Sequence, residues 1–306
     1  MPLLTAAIHK LITLICVVGL VFLLIHMVPG DPVLVLLGER ASAADQQALR
    51  EALGLNQSLI TQFGRFLAGL LRGDWGTSMV SHKPVLTVMA ERIPATAALA
   101  AVAMVMALVM GFALGVAMVW GSKPLRAGLG GLSLAMLVTP SFVLGPLLIV
   151  VFSLGLGLFP VSGYNGASSL VLPALTLGAS LAAVIARMLA ASLYTETKKD
   201  YVRSVYAKGG SLWRARAHAV RNGLLPVVQI VFLQMGMLLT GTVLAEAVFG
   251  WPGLGNLLVE SLHQRDYPVI QGCLLLISLT YMVCVALADL TSAWLDPRIR
   301  SGRSAA

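Results

Sequence analysis

Between residues 95 and 120 the chain carries no charged side chain, and most of the stretch is Ala, Val, Met or Leu. A helix rises about 1.5 Å per residue, so about 20 such residues cross a hydrocarbon core of about 30 Å. A segment that is apolar around its whole circumference has no face for water, which excludes a surface helix of a soluble domain. Five other segments qualify on the same measure, at about 11–28, 129–154, 170–186, 224–245 and 269–288, the last extending toward Leu295. Composition agrees. Apolar residues make up 58% of the 306 and charged ones 11%, with a mean hydropathy of +0.88. Soluble chains carry roughly 25% charge. Lipid offers no partner for backbone N–H and C=O groups, so spans of this kind are helical. The expected fold is an all-α integral membrane protein with six transmembrane helices.

Charge sets the expected orientation. The chain has 21 Lys and Arg, and with the N-terminus inside, 14 of them fall on the inner side. Basic residues accumulate on the cytoplasmic face of membrane proteins, so both termini are expected there. The net charge of +8 then belongs to the inner surface and points to no nucleic acid. The run after His9 and Lys10 ends in Met27-Val28-Pro29-Gly30-Asp31, without a small-x-small cleavage pattern, and reads as a retained anchor. Three regions follow: an anchor helix plus periplasmic loop at 1–94, a core at 95–295 with a basic cytoplasmic loop at about 187–223, and a cytoplasmic tail at 296–306. In the outer loop Ser42 can cap a helix through Asp45, Leu49 and Leu53 that Gly54 closes, and 62–71 suggests a second, amphipathic helix.

The centres of the spans hold no Asp, Glu, Lys or Arg; His26, Arg187, Glu246 and Asp289 lie at or near span ends. Ion-coupled carriers keep ionisable groups at mid-membrane, so a proton-driven carrier is disfavoured. No G-x-x-x-x-G-K-[ST] phosphate loop, H-E-x-x-H pair or G-x-S-x-G elbow occurs. No catalytic residue, metal site or cofactor is therefore expected in the chain. Cys16, Cys273 and Cys284 lie in apolar stretches and suggest packing rather than a disulfide framework. In the third span Pro140 and Ser141 interrupt the helical pattern. They read either as an ordinary kink or, with Glu246, as residues of a translocation path.

The basic loop has its own grammar. Residues 200–208 read as a helix that Gly209-Gly210 can terminate, after which Ser211 can cap a short second helix at 212–220 bearing Arg214, Arg216 and His218. Composition alone leaves two readings: a helix that docks into another protein, or a basic loop lying on anionic lipid. Trp251-Pro252-Gly253 likewise reads either as a rigid turn with an aromatic anchor at the pathway entrance or as part of an interfacial aromatic belt.

Taken in order, these and other motifs are distinctive. They include Pro29-Gly30-Asp31-Pro32, Gly73-Asp74-Trp75-Gly76-Thr77-Ser78, Arg92-Ile93-Pro94-Ala95-Thr96 and Asp200-Tyr201-Val202-Arg203. Ala207-Lys208-Gly209, Phe249-Gly250-Trp251-Pro252-Gly253 and Arg265-Asp266-Tyr267-Pro268 follow. Over nearly its whole length the sequence resembles the inner-membrane permeases of ABC importers of the peptide, opine and nickel family, and among them the first of the two paired permeases. The resemblance implies the type I ABC importer permease fold and a place in the bacterial inner membrane. It implies as partners a homologous second permease, two cytoplasmic ATPase subunits that carry the ATP and magnesium, an extracytoplasmic substrate-binding protein, and membrane lipid.

It further implies that the basic loop is the EAA motif, whose short helix docks on the ATPase. Carried onto this chain, the docking residues are Ala207, Lys208, Gly209, Ser211, Leu212, Trp213, Arg214, Arg216 and His218. The motif's glutamate is absent, Val205-Tyr206-Ala207 standing in place of Glu-Ala-Ala. On the outer side Asp31, Trp251, Pro252, Gly253 and Asp266 are expected to meet the binding protein or the pathway entrance. The expected cargo is di- or oligopeptide, with nickel, a metal–opine chelate or another small solute as the alternative. The competing class is a stand-alone secondary transporter.

Overall fold

The computed structural model describes residues 12–23, 33, 42–52 and 56–295. Among them regular structure is helical apart from one isolated antiparallel bridge, Thr77 with Pro84. The chain divides into two compact units, Met1–Pro94 with Leu257–Leu279, and Ala95–Asn256 with Thr280–Ala306.

In the first unit lie α1 (Ile12–Leu23), α2 (Ala43–Ala52) and α3 (Leu59–Leu71). Ser42 caps α2 as expected, its Oγ accepting from Asp45 N–H at 3.2 Å. Leu53 and Gly54 fall outside the described residues. Helix α3 starts three residues before the expected 62, because Ser58 caps it and accepts from Thr61 N–H at 3.3 Å. Its Phe63, Phe66 and Leu70 pack on Val18 and Val21 of α1 and on Leu275. Phe22 meets Phe63 edge-on, with ring centroids 5.3 Å apart.

Helix α4 (Val85–Trp120) links the units and begins ten residues before the expected span, running through Pro94. Then come α5 (Lys123–Val138), α6 (Ser141–Leu148), a π-helical turn at Ile149–Gly155 and α7 (Val171–Glu196). Next are α8 (Asp200–Ala207), α9 (Leu212–Gly223), α10 (Leu225–Phe249), α11 (Leu254–Gln264) and α12 (Tyr267–Leu295). The second unit is organised around α7, most of whose residues from Leu172 to Leu193 are buried. A Cβ on Gly178 would stand 2.9 Å from the Ala103 carbonyl oxygen of α4, and Cβ atoms on Gly111 and Gly115 would press on Ile185 and Leu189 of α7. Between apolar helices in lipid the hydrophobic effect gives little drive, and close backbone approach through small residues supplies van der Waals packing instead.

The third expected span needs correction. It is no kinked single helix: α5 and α6 meet at 109°. Thr139 (ψ 116°) and Pro140 (ψ 145°) are both extended. A residue before proline is pushed out of the helical region, and proline offers no N–H to bridge the gap. The Ala135 carbonyl accepts both the Thr139 N–H at 3.0 Å and the Thr139 hydroxyl at 2.8 Å, and the helix closes there.

Among the described residues three helices are individually long and apolar enough to cross a membrane, Val85–Trp120, Ala167–Glu196 and Tyr267–Thr291; counting each bent pair as one span raises the number to as many as six. The bent pairs are α5 with α6 and its π turn, α9 with the first part of α10, and the end of α10 with α11. This is a different set from the six read in the sequence, where the first span was residues 11–28, described here over Ile12–Leu23.

Candidate functional site

The basic loop after α7 is built from a polar elbow. The Glu196 carboxylate accepts from Lys199 Nζ at 2.6 Å and from the Tyr201 hydroxyl at 2.7 Å. Burial, then the hydrogen bond to Glu196, raises the Tyr201 pKa above its ordinary value. Beyond the elbow, Val202 of α8 packs against Ala215 and Ala219 of α9, the two alanines leaving room for close approach. The turn between them requires both glycines for different reasons. Gly209 has φ +75°, and its N–H bonds the Tyr206 carbonyl at 2.9 Å. Gly210 bonds the Val205 carbonyl through its N–H, and a Cβ there would come within 2.7 Å of that oxygen. Ser211 then caps α9, accepting from Arg214 N–H at 3.3 Å.

With Ala215 and Ala219 turned inward, α9 presents Leu212 and Trp213 outward, Trp213 being 79% exposed. Arg214, His218 and Arg221 are exposed beside them, as are Ala207, Lys208 and Gly209 at the end of α8. A large aromatic group with an apolar neighbour and a basic rim is a surface suited to a protein pocket. Arg216, also expected in the docking set, is half-buried. Its guanidinium carbon lies 5.1 Å from the ring centre of Trp120, at the end of α4. Its Nε is buried without a hydrogen-bond partner among the described residues. Trp120 carried no signal in the sequence beyond closing an apolar run.

A second cluster ties the turn after α10 to Ala95 and Thr96 of α4. Gly250 ends α10 in the left-handed conformation, φ +58°. Glu246, fully buried, accepts from Thr96 Oγ at 2.7 Å and from the N–H groups of Gly255 at 2.6 Å and Asn256 at 3.1 Å. Those amides belong to the first turn of α11, so the carboxylate caps a helix N-terminus, where the exposed donors and the dipole favour negative charge. Thr96 Oγ in turn accepts from Leu254 N–H at 2.8 Å.

Trp251 is also fully buried. Its indole N–H donates to the Ala95 carbonyl at 2.9 Å, and Tyr164 meets its ring edge-on at 5.0 Å. It is therefore an internal anchor, neither an interfacial belt residue nor an exposed contact. Pro252 follows it, and a Cβ on Gly253 would collide with the Glu246 carboxylate. Thr96 and Leu254 escaped the sequence reading, since a threonine after Arg92-Ile93-Pro94-Ala95 gives no sign of a carboxylate 150 residues away.

In the first unit, buried Asp266 accepts from Ser78 Oγ, from Met79 N–H at 3.0 Å and, at 3.4 Å, from Val80 N–H, fixing the loop before α4 against the start of α12. Asp31, expected beside it at the entrance, lies outside the described residues. Pro140 and Ser141 stand at the break between α5 and α6, where Gly145 packs against Val248 and Phe249 of α10. Among the described residues no group of His, Cys, Asp and Glu is placed to hold a metal ion.

Residues 107–301 match the family described as binding-protein-dependent transport system inner membrane component, and residues 2–100 match the corresponding N-terminal family. The chain belongs to this family of ABC importer permeases. Known relatives extend along almost the whole permease. It is 43% identical over 291 residues to the glutathione transport system permease protein GsiC of Escherichia coli (strain K12), covering 94% of this chain and 95% of that one. The GsiC of Salmonella paratyphi A (strain ATCC 9150 / SARB42) is 42% identical over the same extent. A crystal structure of an amino acid ABC transporter with histidines matches the permease with TM-score 0.55 at 14% identity, covering 68% of this chain and 94% of that one. At that identity the likeness speaks for the fold alone. The permease is thus a multi-pass component of the bacterial inner membrane and an ABC importer permease of the peptide/opine/nickel family.

Proposed function

We propose that the permease forms half of the translocation path of an ATP-driven peptide importer and is driven through α9. The observation that carries this reading is the exposed Leu212–Trp213 face, held on a helix pair that glycine, serine and alanine positions keep rigid. A homologous permease completes the path, and two ATPase subunits with bound ATP and magnesium dock below. An extracytoplasmic binding protein delivers cargo from above. In this arrangement both termini and the basic loop are cytoplasmic, six spans cross the membrane, and the permease itself hydrolyses nothing. ATP binds the closed ATPase pair more tightly than the open one, and this differential affinity shifts the permeases between inward- and outward-facing states.

Peptide is the preferred cargo because the relatives named above are glutathione permeases, glutathione being a short peptide. The test is ATP-dependent uptake into proteoliposomes holding both permeases, both ATPases and the binding protein. Labelled glutathione, dipeptides and longer peptides are offered with nickel as competitor. Peptide uptake that stops without ATP is expected. Uptake by the permeases without ATPase subunits would overturn the ATP-driven reading, and nickel uptake without peptide uptake would overturn the choice of cargo.

A further inference from the structure

Helix α3 belongs by sequence to a long loop outside the membrane, yet it has two apolar faces, and among the described residues only one is covered. Phe63, Phe66 and Leu70, spaced by three and four residues, pack on α1 and α12. Ile60, Leu67 and Leu71 recur at seven and four residues and form a neighbouring stripe. Among the described residues nothing covers that stripe, Ile60 being 84% and Leu71 82% exposed. The opposite side carries Thr61, Arg65 and Arg72, all exposed.

The helices under α3 indicate what lies against it. Leu275, one of its contacts, is eight residues into α12, and that distance along a helix is about 12 Å. Helix α1 leaves Ile12, Ile15, Leu20 and Leu23 exposed, so the span that α3 leans on has an apolar free surface of its own. A helix with Leu, Ile and Phe on one side and Arg on the other, seated about 5–10 Å into the boundary between headgroups and acyl chains, is the pattern of an interfacial membrane helix.

We infer that α3 lies in the membrane, with Ile60, Leu67 and Leu71 against lipid acyl chains and Arg65 and Arg72 toward headgroup phosphates and water. With the orientation proposed above, this is the outer leaflet. The loop is then anchored at its middle, and only the parts on either side of α3 are free to meet an aqueous partner.

The test uses the assembled importer in nanodiscs of phosphatidylethanolamine and phosphatidylglycerol. Nitroxide labels are placed on Ile60→Cys, Leu67→Cys, Leu71→Cys, Arg65→Cys and Arg72→Cys, each in a chain with Cys16, Cys273 and Cys284 changed to Ala. Collision with oxygen and with a water-soluble nickel chelate is compared. The ratio of oxygen to chelate accessibility is expected to be several-fold higher at 60, 67 and 71 than at 65 and 72. Equal chelate access at all five would place α3 in water. Exclusion of both reagents at 60, 67 and 71 would place a partner protein there. Either result overturns the inference, and neither depends on which solute is carried.

The unaltered chain gives a second measurement that does not require the cysteine-free variant to fold. A phospholipid with a photoreactive acyl chain should label the peptide containing 59–71. Labelling of α1 without that peptide would also overturn the inference.

Discussion

Glu246 places a carboxylate where water does not reach, and three donors hold it there. Breaking a buried charge-assisted cluster by removing one partner costs about 3 kcal/mol or more. Glu246→Ala should therefore lower the thermal midpoint of the purified importer in detergent well below that of the unaltered protein. Glu246→Gln keeps an oxygen for the two α11 amides and should lose less. Equal losses for the two variants would show that the oxygen is not what holds the turn. Arg216 and Trp120 form a weaker pair, a cation–π contact worth about 1 kcal/mol. It joins α9 to the end of α4, so its predicted effect is on coupling more than on folding. Trp120→Leu should raise the ATP hydrolysed per solute imported while leaving assembly intact. An unchanged ratio would confine Arg216 to a packing role.

The elements most legible in the sequence were those whose ends carry their own chemistry. Ser42 and Ser211 mark helix starts through a side-chain oxygen, and both accept the expected backbone bond, whereas the Ser58 cap escaped the sequence reading and α3 starts three residues earlier than expected. Gly209 marks an end because only glycine adopts φ +75° without strain. Gly209→Val should cost about 1–2 kcal/mol at that turn and misplace α9. Uptake by the reconstituted importer should then fall while ATP hydrolysis falls less, and normal uptake would remove the turn from the mechanism. The break at Thr139-Pro140 was visible as a proline but its angle was not. Proline dictates only that the helical ladder stops, and the direction of the next helix is set by Gly145 packing on Val248 and Phe249, a contact distant in sequence. The Glu246 cluster was illegible for the same reason: Thr96, Glu246 and the amides of Gly255 and Asn256 meet only once the helices are packed. The burial of Trp251 was hidden too, since an aromatic residue beside Pro and Gly suits a surface turn equally well.

At the scale of the molecule, the apolar content announced a membrane protein, and the order of the motifs announced the family that residues 2–100 and 107–301 match. Exposure on an isolated chain is where assembly should be read. Trp213 makes its side chain available without supporting the fold of its own chain. Trp213→Ala should therefore leave the permease stable but reduce the ATPase recovered with it on purification several-fold. Full recovery would show that the docking surface lies elsewhere. The α4–α7 seam carries a different message. At Gly111, Gly115 and Gly178 the two helices meet main chain against side chain at distances that leave no slack. Sliding one past the other by a turn would set Leu189 against Val119 or Ile185 against Ala107 in place of a glycine, so the pair has a single register. Such a joint behaves as the keel of its unit: it carries load from either end without yielding, and any flexing during a transport cycle is left to the segments that glycine has not welded together.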